Sequence, residues 1–402
     1  MRELTLLCAA YSISLFYRGM IAVIATDISL DLALDEFRLG LLASSFFLSF
    51  ALAQIPTGIV LDRFGGRLTI GSFMWFAVLG IGLFSIATDF YLAMIGQVFI
   101  GIGCAPIFTG TMLIIGRRYS PQRFAYITAI VIAIGSLGDL MGTTPLATIA
   151  QWLGWRGSLQ LIMLVTALIA LWCLIGLGKD KPLATGETLG GMLRGMAKIA
   201  CIRGLWPLMP IFLTSYAVLM AVRGVWSGPY LANVFLTDAT ESGYIIMAMS
   251  ISMALGTYLL GSLDRRFRAT KIIVIFTSGL AVLPLFVLAA YPDKGPYFAM
   301  SAFILLGLFG FNYPLLMSHS RTFLTPEYHG RGMAVLTAIS FIGIAITQSI
   351  SGLILAVADA AAFSPTEQYQ ILFIFFATII SIATLVYCFS ERNGNANELG
   401  RI

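Results

Sequence analysis

Residues 58–67 read GIVLDRFGGR, and residues 261–270 read GSLDRRFRAT. Each stretch ends a long apolar segment, and each follows an Arg-Gly pair set inside an earlier apolar segment. The interval is 44 residues from Arg18 to Asp62 and 41 from Arg223 to Asp264. The pairs themselves lie in LLCAAYSISLFYRGMIAVIA (6–25) and LMPIFLTSYAVLMAVRGVWSGPYL (208–231). A third correspondence keeps the same order, because SPQRFAYITAI (120–130) and TPEYHGRGMAVLTAI (325–339) each open a later segment. Three matches in one order argue that the chain is two copies of one unit.

Composition says what the unit is built for. Hydrophobic residues make up 59% of the 402 and charged residues 11%, against roughly 45–50% and 25% in soluble domains. A globular core cannot absorb that surplus, so it faces lipid. Apolar stretches near 4–27, 38–61, 68–88, 91–116, 125–149 and 156–177 are each long enough to cross about 30 Å of hydrocarbon as a helix. After a polar gap they resume near 206–232, 243–263, 272–291, 296–320, 332–358 and 366–390. They are continuously apolar, not alternating, which predicts helices and excludes a membrane barrel. The expected architecture is an all-α polytopic membrane protein with twelve transmembrane helices in two six-helix pseudo-symmetric bundles. Its divisions are 1–177, a linker at 178–205, 206–390, and a tail at 391–402.

Charge sets the orientation. Arg38, Arg156 and Lys294 fall in loops on one side, and Arg18 and Arg223 lie within spans. The other 19 of the 24 Lys and Arg residues share the side of the N-terminus. The positive-inside rule then places both termini in the cytoplasm, and the expected location is the inner (plasma) membrane of a bacterium. The net charge of +5 reports this topology and calls for no nucleic-acid partner. The opening MRELTLLCAAYSISLF has the basic-then-apolar look of a signal peptide, but the run continues through Arg18 with no cleavage site, so it reads as the first span. Cys8, Cys104, Cys173, Cys201 and Cys388 are far apart in sequence and have no metal-ligand spacing, which fits reduced packing residues. No GxxxxGK[ST] loop, metal cluster or G-x-S-x-G elbow is present. An enzyme, a metal, a cofactor and direct ATP drive are therefore not expected.

Twelve spans, the duplication and the loop GIVLDRFGGR together resemble the major facilitator superfamily of secondary transporters, over essentially the whole chain. The loop signature of that family is filled here by Gly58, Asp62, Arg63, Gly65 and Arg67, and the second copy keeps Gly261, Asp264 and Arg265. The resemblance implies alternating access, in which two bundles rock about a central site, with a single chain as the working unit. It also implies a cytoplasmic gate at this loop. Gly65 and Gly66 suit a tight reversal. Asp62 has basic candidates for pairing in Arg117 and Arg118, or a helix N-terminus; topology alone does not explain it.

An arginine at the middle of a span costs about 2.5–3.5 kcal/mol on insertion scales, so it faces protein or water and serves function. Arg18 and Arg223 sit at equivalent depths, and a guanidinium meets a carboxylate or phosphate with two parallel hydrogen bonds. Their placement is similar to that in the organophosphate:phosphate antiporters, which implies a shared anion site. The match is partial: Trp226 follows Arg223 by three positions where that group has six, and the histidine of its fifth helix is missing. The histidines here, His319 and His329, lie near the inner end of the tenth span. Gln97, in GQVFIGIGCA (96–105), stands where proton-driven drug antiporters carry arginine, which argues against drug efflux.

Asp139, in GSLGDLMGTTP (135–145), is the one carboxylate well inside a span. Three readings stand open: it neutralises Arg18 in the empty carrier, it takes up and releases a proton, or it packs beside Gly135, Gly138 and Gly142. Those glycines, with Pro145, suit close helix packing. Tyr17, Gln54, Tyr216, Trp226, Tyr230, Asn312, Tyr313 and Gln348 are the polar candidates for lining a cavity. Asp27 reads as an interface residue, and GLFGFNYP (307–314) predicts a bend. The expected cargo is a small organic anion, moved with a proton or against a counter-anion across the bilayer. The alternatives are an exporter of drugs or neutral solutes, or a non-transporting anion receptor.

Overall fold

In the computed structural model of the chain, residues 2–178, 199, 202–324 and 329–391 are described. Most of the expected linker and nearly all of the expected tail lie outside the described residues, as does the His329 side chain. Every regular element among the described residues is helical. The first half comprises α1 (Arg2–Asp31), α2 (Glu36–Ser85), α3 (Phe90–Arg118), α4 (Pro121–Met141) and α5 (Thr144–Gly176). A 3₁₀ turn (Arg203–Leu208) leads into α6 (Met209–Ala221), a π turn (Val222–Trp226) and α7 (Ser227–Phe235). There follow α8 (Ala239–Phe267), α9 (Thr270–Ala290), α10 (Pro296–Gly310), α11 (Tyr313–Ser320), α12 (His329–Ala360) and α13 (Pro365–Cys388).

Ten helical stretches are long and apolar enough to cross a membrane, by length and composition. Two of them run to 50 and 51 residues, about 75 Å at 1.5 Å per residue, more than twice the thickness of a hydrocarbon layer. Neither is straight. α2 breaks at Gly65, whose φ of 78° and ψ of 169° are open to glycine and strained for other residues. Its packing shows the chain reversing there. Before Gly65, Phe46 and Ser49 lie against Gly101, Gln54 donates to the Ala105 carbonyl, and Leu61 lies against Gly110, so this part runs parallel to α3. After Gly65, Ile70 meets Gly110, Ala77 meets Gly103 and Gly80 meets Gly96, so this part runs antiparallel to α3.

The same argument applies to α4 and α5. Tyr11, Ser12 and Phe16 of α1 lie against Gly135, Gly138 and Gly142, so the two helices are parallel. The later part of α5 meets α1 in the opposite sense, through Trp155 with Asp31, Thr166 with Tyr17, and Gly176 with Leu6. The reversal falls at Gly154, with φ 69°. The close packing expected of the glycines beside Asp139 is thus what the structure has. The expected bend near 307–314 is also present: α10 ends at Gly310 and α11 begins at Tyr313.

Duplication is visible in the packing. Gly101 sits on the Phe46 carbonyl and Ser49 hydroxyl, while Gly307 sits on the Met249 carbonyl and Ser252 hydroxyl. Each serine donates to its own carbonyl three residues back, at 3.0 Å and 2.7 Å. Likewise Gly138 rests on the Ser12 carbonyl and Gly343 on the Leu213 carbonyl. Contacts between the halves join α1 to α7 (Ala22 and Gly228), α2 to α12 (Gly40 and Gly352) and α5 to α8 (Thr144 and Gly243). All three lie toward the face remote from the N-terminus. Along α2, residues 42–47 are all buried, whereas Leu52, Pro56, Arg63 and Phe64 are exposed. The molecule is closed at one face and looser at the other.

A side chain at Gly101 or Gly307 has nowhere to go, whereas nothing lies within 4 Å of a Cβ at Gly279. Gly101→Ala and Gly307→Ala are expected to lower the thermal unfolding temperature of the purified protein by similar amounts. The cost is that of overpacking, about 1–3 kcal/mol. Gly279→Ala should leave the unfolding temperature unchanged or raise it.

Candidate functional site

The two Arg-Gly pairs cross each other. A Cβ on Gly19 would stand 2.5 and 2.6 Å from the terminal nitrogens of Arg223, and one on Gly224 would stand 3.3 Å from the Arg18 carbonyl oxygen. Each glycine is the floor on which the opposite helix, or its arginine, lies. The π turn at Val222–Trp226 interrupts the helix at this crossing. Such bulges are frequent at functional sites because the wider turn redirects a side chain. It sends Arg223 toward α1, where it is 1% exposed, and Trp226 toward α12, where Nε1 donates to Ser351 Oγ at 2.7 Å.

Arg223 Nη2 pairs with Asp139 Oδ1 of α4, across the two halves. Of the three readings open for Asp139, neutralising Arg18 is not what the structure has, since the carboxylate pairs with Arg223. The reason is the direction each guanidinium takes. Arg18 turns to the other side, where its central carbon lies 5.0 Å from the Phe50 ring of α2 and 5.1 Å from the Phe341 ring of α12. Those rings are 4.5 Å apart and come from different halves. A cation on aromatic faces gains up to about 2 kcal/mol per ring when desolvated, so Arg18 is held without a carboxylate. The two-arginine clamp is therefore not preformed, since each cation has its own resting partner.

Three nitrogens of the pair remain open. Arg18 Nε, Arg223 Nε and Arg223 Nη1 are buried and have no hydrogen-bond partner among the described residues. Gln348 of α12 joins them: it is 0% exposed, neither amide atom is bonded, and Nε2 lies 4.0 Å from the Cβ position of Gly224. An unsatisfied buried polar atom costs about 1–3 kcal/mol. Five in one layer approach the whole net stability of a domain, about 5–15 kcal/mol. The layer offers unmet donors and an acceptor to a ligand or to water. With Arg18 and Arg223 charged and Asp139 ionised, its balance is positive, so it favours an anion.

The remaining sequence candidates divide. Tyr216 of α6 lies beside the layer, with its ring 6.2 Å from Phe341 and 5.4 Å from Tyr313. The Tyr313 hydroxyl is bonded to Thr337 at 3.0 Å. Tyr17, beside Arg18 in sequence, turns into the first half, where its buried hydroxyl bonds to Thr166 at 2.6 Å. Asn312 is likewise withdrawn, accepting from Ser215 and donating to Ser278 at 2.8 Å each, where α10 breaks from α11. Gln54 donates to the Ala105 carbonyl and Tyr230 to the Pro292 carbonyl. Neighbours on a helix point 100° apart, so adjacency to an arginine in sequence is poor evidence of facing the same ligand. Sequence reading missed Phe50 and Phe341, and nothing marks them among 29 phenylalanines.

The residues expected to form a gate lie in loops and helix ends at the face that holds the N-terminus. Gly65 makes the turn beside Gly58, Asp62 and Arg63, and Arg67 Nε donates to the Leu174 carbonyl at 2.7 Å. Arg118 pairs with Glu3 and donates to the Gly178 carbonyl at 3.0 Å, while Glu3 also accepts from the Gly178 amide. Arg117 and Arg265 are exposed. Asp264 accepts from Thr270 Oγ1 at 2.7 Å, and Arg268, at φ 49°, takes the left-handed position that glycine fills in the first copy. A separate cavity of about 690 Å³ opens at the closed face, lined by Asp27, Asp31, Gln151 and Trp155. Its acidic lining is unsuited to an anion. Asp27 thus faces this cavity and not the arginine layer.

Comparison with known proteins gives three kinds of match. The model of the Major Facilitator Superfamily matches residues 7–227 and 208–400. The hexuronate transporter of Bacillus subtilis (strain 168) is 27% identical over 169 residues, 42% of this chain and 40% of that protein. The nitrite extrusion protein of the same organism is 26% identical over 152 residues, 38% of each. The chain thus spans about two fifths of the length of these curated relatives. Among solved structures, a bacterial homologue of the human lysosomal transporter Spinster, in an inward-facing and occupied conformation, aligns with a TM-score of 0.74. It is 17% identical and covers 97% of this chain and 96% of that one. That likeness concerns the fold alone.

The ion pair is asymmetric, because Arg223 is 1% exposed and Asp139 22%. Removing one partner of a buried pair costs about 3–5 kcal/mol when the survivor cannot reach water. Asp139→Ala is therefore expected to lower the unfolding temperature more than Arg223→Ala does. The double variant should recover part of the loss, as measured on the purified protein.

Proposed function

The chain belongs to the Major Facilitator Superfamily, and from that premise we propose that it is a secondary transporter of a small organic anion, held between Arg18 and Arg223. The observation that carries this reading is the layer where the Arg-Gly pairs cross. It has two cations, one carboxylate and three unpartnered guanidinium nitrogens at the contact of the two halves. Transporters with duplicated halves use such a contact as their binding site. The names of the relatives, one a hexuronate transporter and one a nitrite extrusion protein, are both of anion carriers.

The topology follows from length and charge. The stretches of 50 and 51 residues are read as two crossings each, reversing at Gly65 and Gly154, which makes twelve. Both termini then share the face holding 19 of the 24 basic residues, the cytoplasmic face of a bacterial inner membrane. The two six-helix bundles are 1–177 and 206–390, joined by a linker at 178–205 and followed by a tail at 391–402. The single chain is the working unit. Tight contacts at the far face support reading this state as inward-facing. The loop Asp62–Arg67 and its second copy, with Arg117 and Arg118, close that face in the alternate state.

Coupling rests on Asp139. In the empty carrier its carboxylate holds Arg223. An incoming carboxylate or phosphate competes for the same guanidinium, and Asp139, once displaced, is a buried carboxylate that has lost its cation. Substrate and proton are taken up together, and the net charge of the layer stays low as the bundles rock. The groups facing Asp139 are Arg223 from the π turn and Tyr11 from α1.

Uptake into proteoliposomes tests the assignment. Arg18→Lys and Arg223→Lys are each expected to weaken anion transport at least about tenfold, the loss of one charge-assisted bond. Wild-type rates in both variants would sink the clamp. Uptake by the wild type should rise as the external pH falls, because Asp139 binds its proton from that side. Asp139→Asn should flatten the profile; a variant as pH-dependent as the wild type removes Asp139 from coupling.

A further inference from the structure

Five buried polar atoms without a partner among the described residues belong to three residues at the crossing of the Arg-Gly pairs, and their chemistry is uneven. Arg18 Nε, Arg223 Nε and Arg223 Nη1 only donate, Gln348 Nε2 donates, and Gln348 Oε1 only accepts. An ionised carboxylate has acceptors alone. It satisfies the four nitrogens and leaves Gln348 Oε1 facing another acceptor. A hydroxyl both donates and accepts. A carboxylate with a hydroxyl close beside it offers both kinds of partner.

From this pattern we propose that Gln348 reads a hydroxyl next to the substrate carboxylate, so that the carrier selects hydroxy acids over simple carboxylates. The inference rests on the anion-carrier reading above and narrows it. Gln348 is placed for the task. It is 0% exposed, and its amide nitrogen lies 4.0 Å from the Cβ position of Gly224, the residue after Arg223. The same Cβ position is 3.3 Å from the Arg18 carbonyl, so the glutamine faces the crossing and not lipid. Its neighbours on α12 hold the segment in register: Ser349 donates to Ser44 of α2 at 3.0 Å, and Ser351 accepts from Trp226 at 2.7 Å. Its own carbonyl lies on Gly40. The helix is thus tied to both halves just after position 348, while the Gln348 amide has no partner among the described residues. Gln97 of α3 is also buried with both amide atoms unbonded, but it is not among the nearest atoms to Gly19 or Gly224. Burial of a glutamine alone therefore does not define the site; the company of the guanidinium groups does.

Ligand-induced thermal stabilisation of the full chain, titrated with tartrate, malate and succinate, tests the proposal, because a ligand of the native state raises apparent stability. The three probes share a four-carbon diacid skeleton and differ in carrying two, one and no hydroxyls. The wild type is expected to bind tartrate and malate at least about tenfold more tightly than succinate, since a buried amide left unpaired weakens binding by that order. Gln348→Met keeps the volume and removes both amide groups. It should bring the three ligands to similar affinities with succinate little changed, and Gln97→Met should keep the wild-type ranking. Equal affinity for all three ligands in the wild type overturns the hydroxyl-reading role and leaves the anion carrier standing; it means that Gln348 Oε1 swings to Arg223 Nη1. A ranking that survives in Gln348→Met also overturns it. If neither the diacids nor gluconate and hexanoate stabilise the wild type, both readings fall together. Should Gln348→Met not be isolated, Gln348→Leu gives the same comparison.

Discussion

The bond between Arg223 and Asp139 joins the two halves of the chain at their centre, and much of the architecture exists to make it possible. A guanidinium 1% exposed in a protein surrounded by lipid needs a counter-charge or bound water. Here the counter-charge comes from the other half, on a helix pressed against α1 by Gly135, Gly138 and Gly142. Gly19 makes room for the guanidinium, and the π turn at Val222–Trp226 aims it. The bond is therefore both a structural tie and the obstacle a ligand must displace.

Arg18 shows a different solution to the same problem. Two phenylalanine rings, one from each half, hold it by their faces at about the same distance. A cation held by rings is desolvated less completely than one inside an ion pair and keeps more of its donors for a ligand. The resting layer thus has one arginine in contact with a carboxylate and one in reserve. On the proposed reading, an anion meets Arg18 before Arg223 must exchange partners, which separates attraction from commitment. Gln348 adds an amide with an unpaired donor and an unpaired acceptor.

How far the sequence carried differs between fold and site. The spans, their helical character, the duplication and the bend at 307–314 were legible because lipid imposes long apolar runs and backbone self-satisfaction. The Arg-Gly pairs stood out for the same reason, since charge in an apolar run is costly wherever it points. The aromatic partners of Arg18 did not stand out, because phenylalanine in an apolar span carries no cost and no signal. Tyr17 and Trp226 were candidates by sequence adjacency and turned away, Tyr17 to Thr166 and Trp226 to Ser351. Periodicity fixes which residues share a face, but it does not say which face meets the other half.

By itself the sequence determined that this chain is a duplicated, helical, lipid-facing protein with two cations at matching depth and its basic loops on one side. Those properties follow from transfer free energies and spacing, which are local and additive along the chain. Only the tertiary structure decided that Asp139 answers Arg223 and not Arg18, and that each arginine rests near the glycine of the other copy. It also decided that Gln348 belongs with them. Those are pairings between residues 84 to 330 positions apart, set by how two packed bundles meet, and no local rule reaches across that distance.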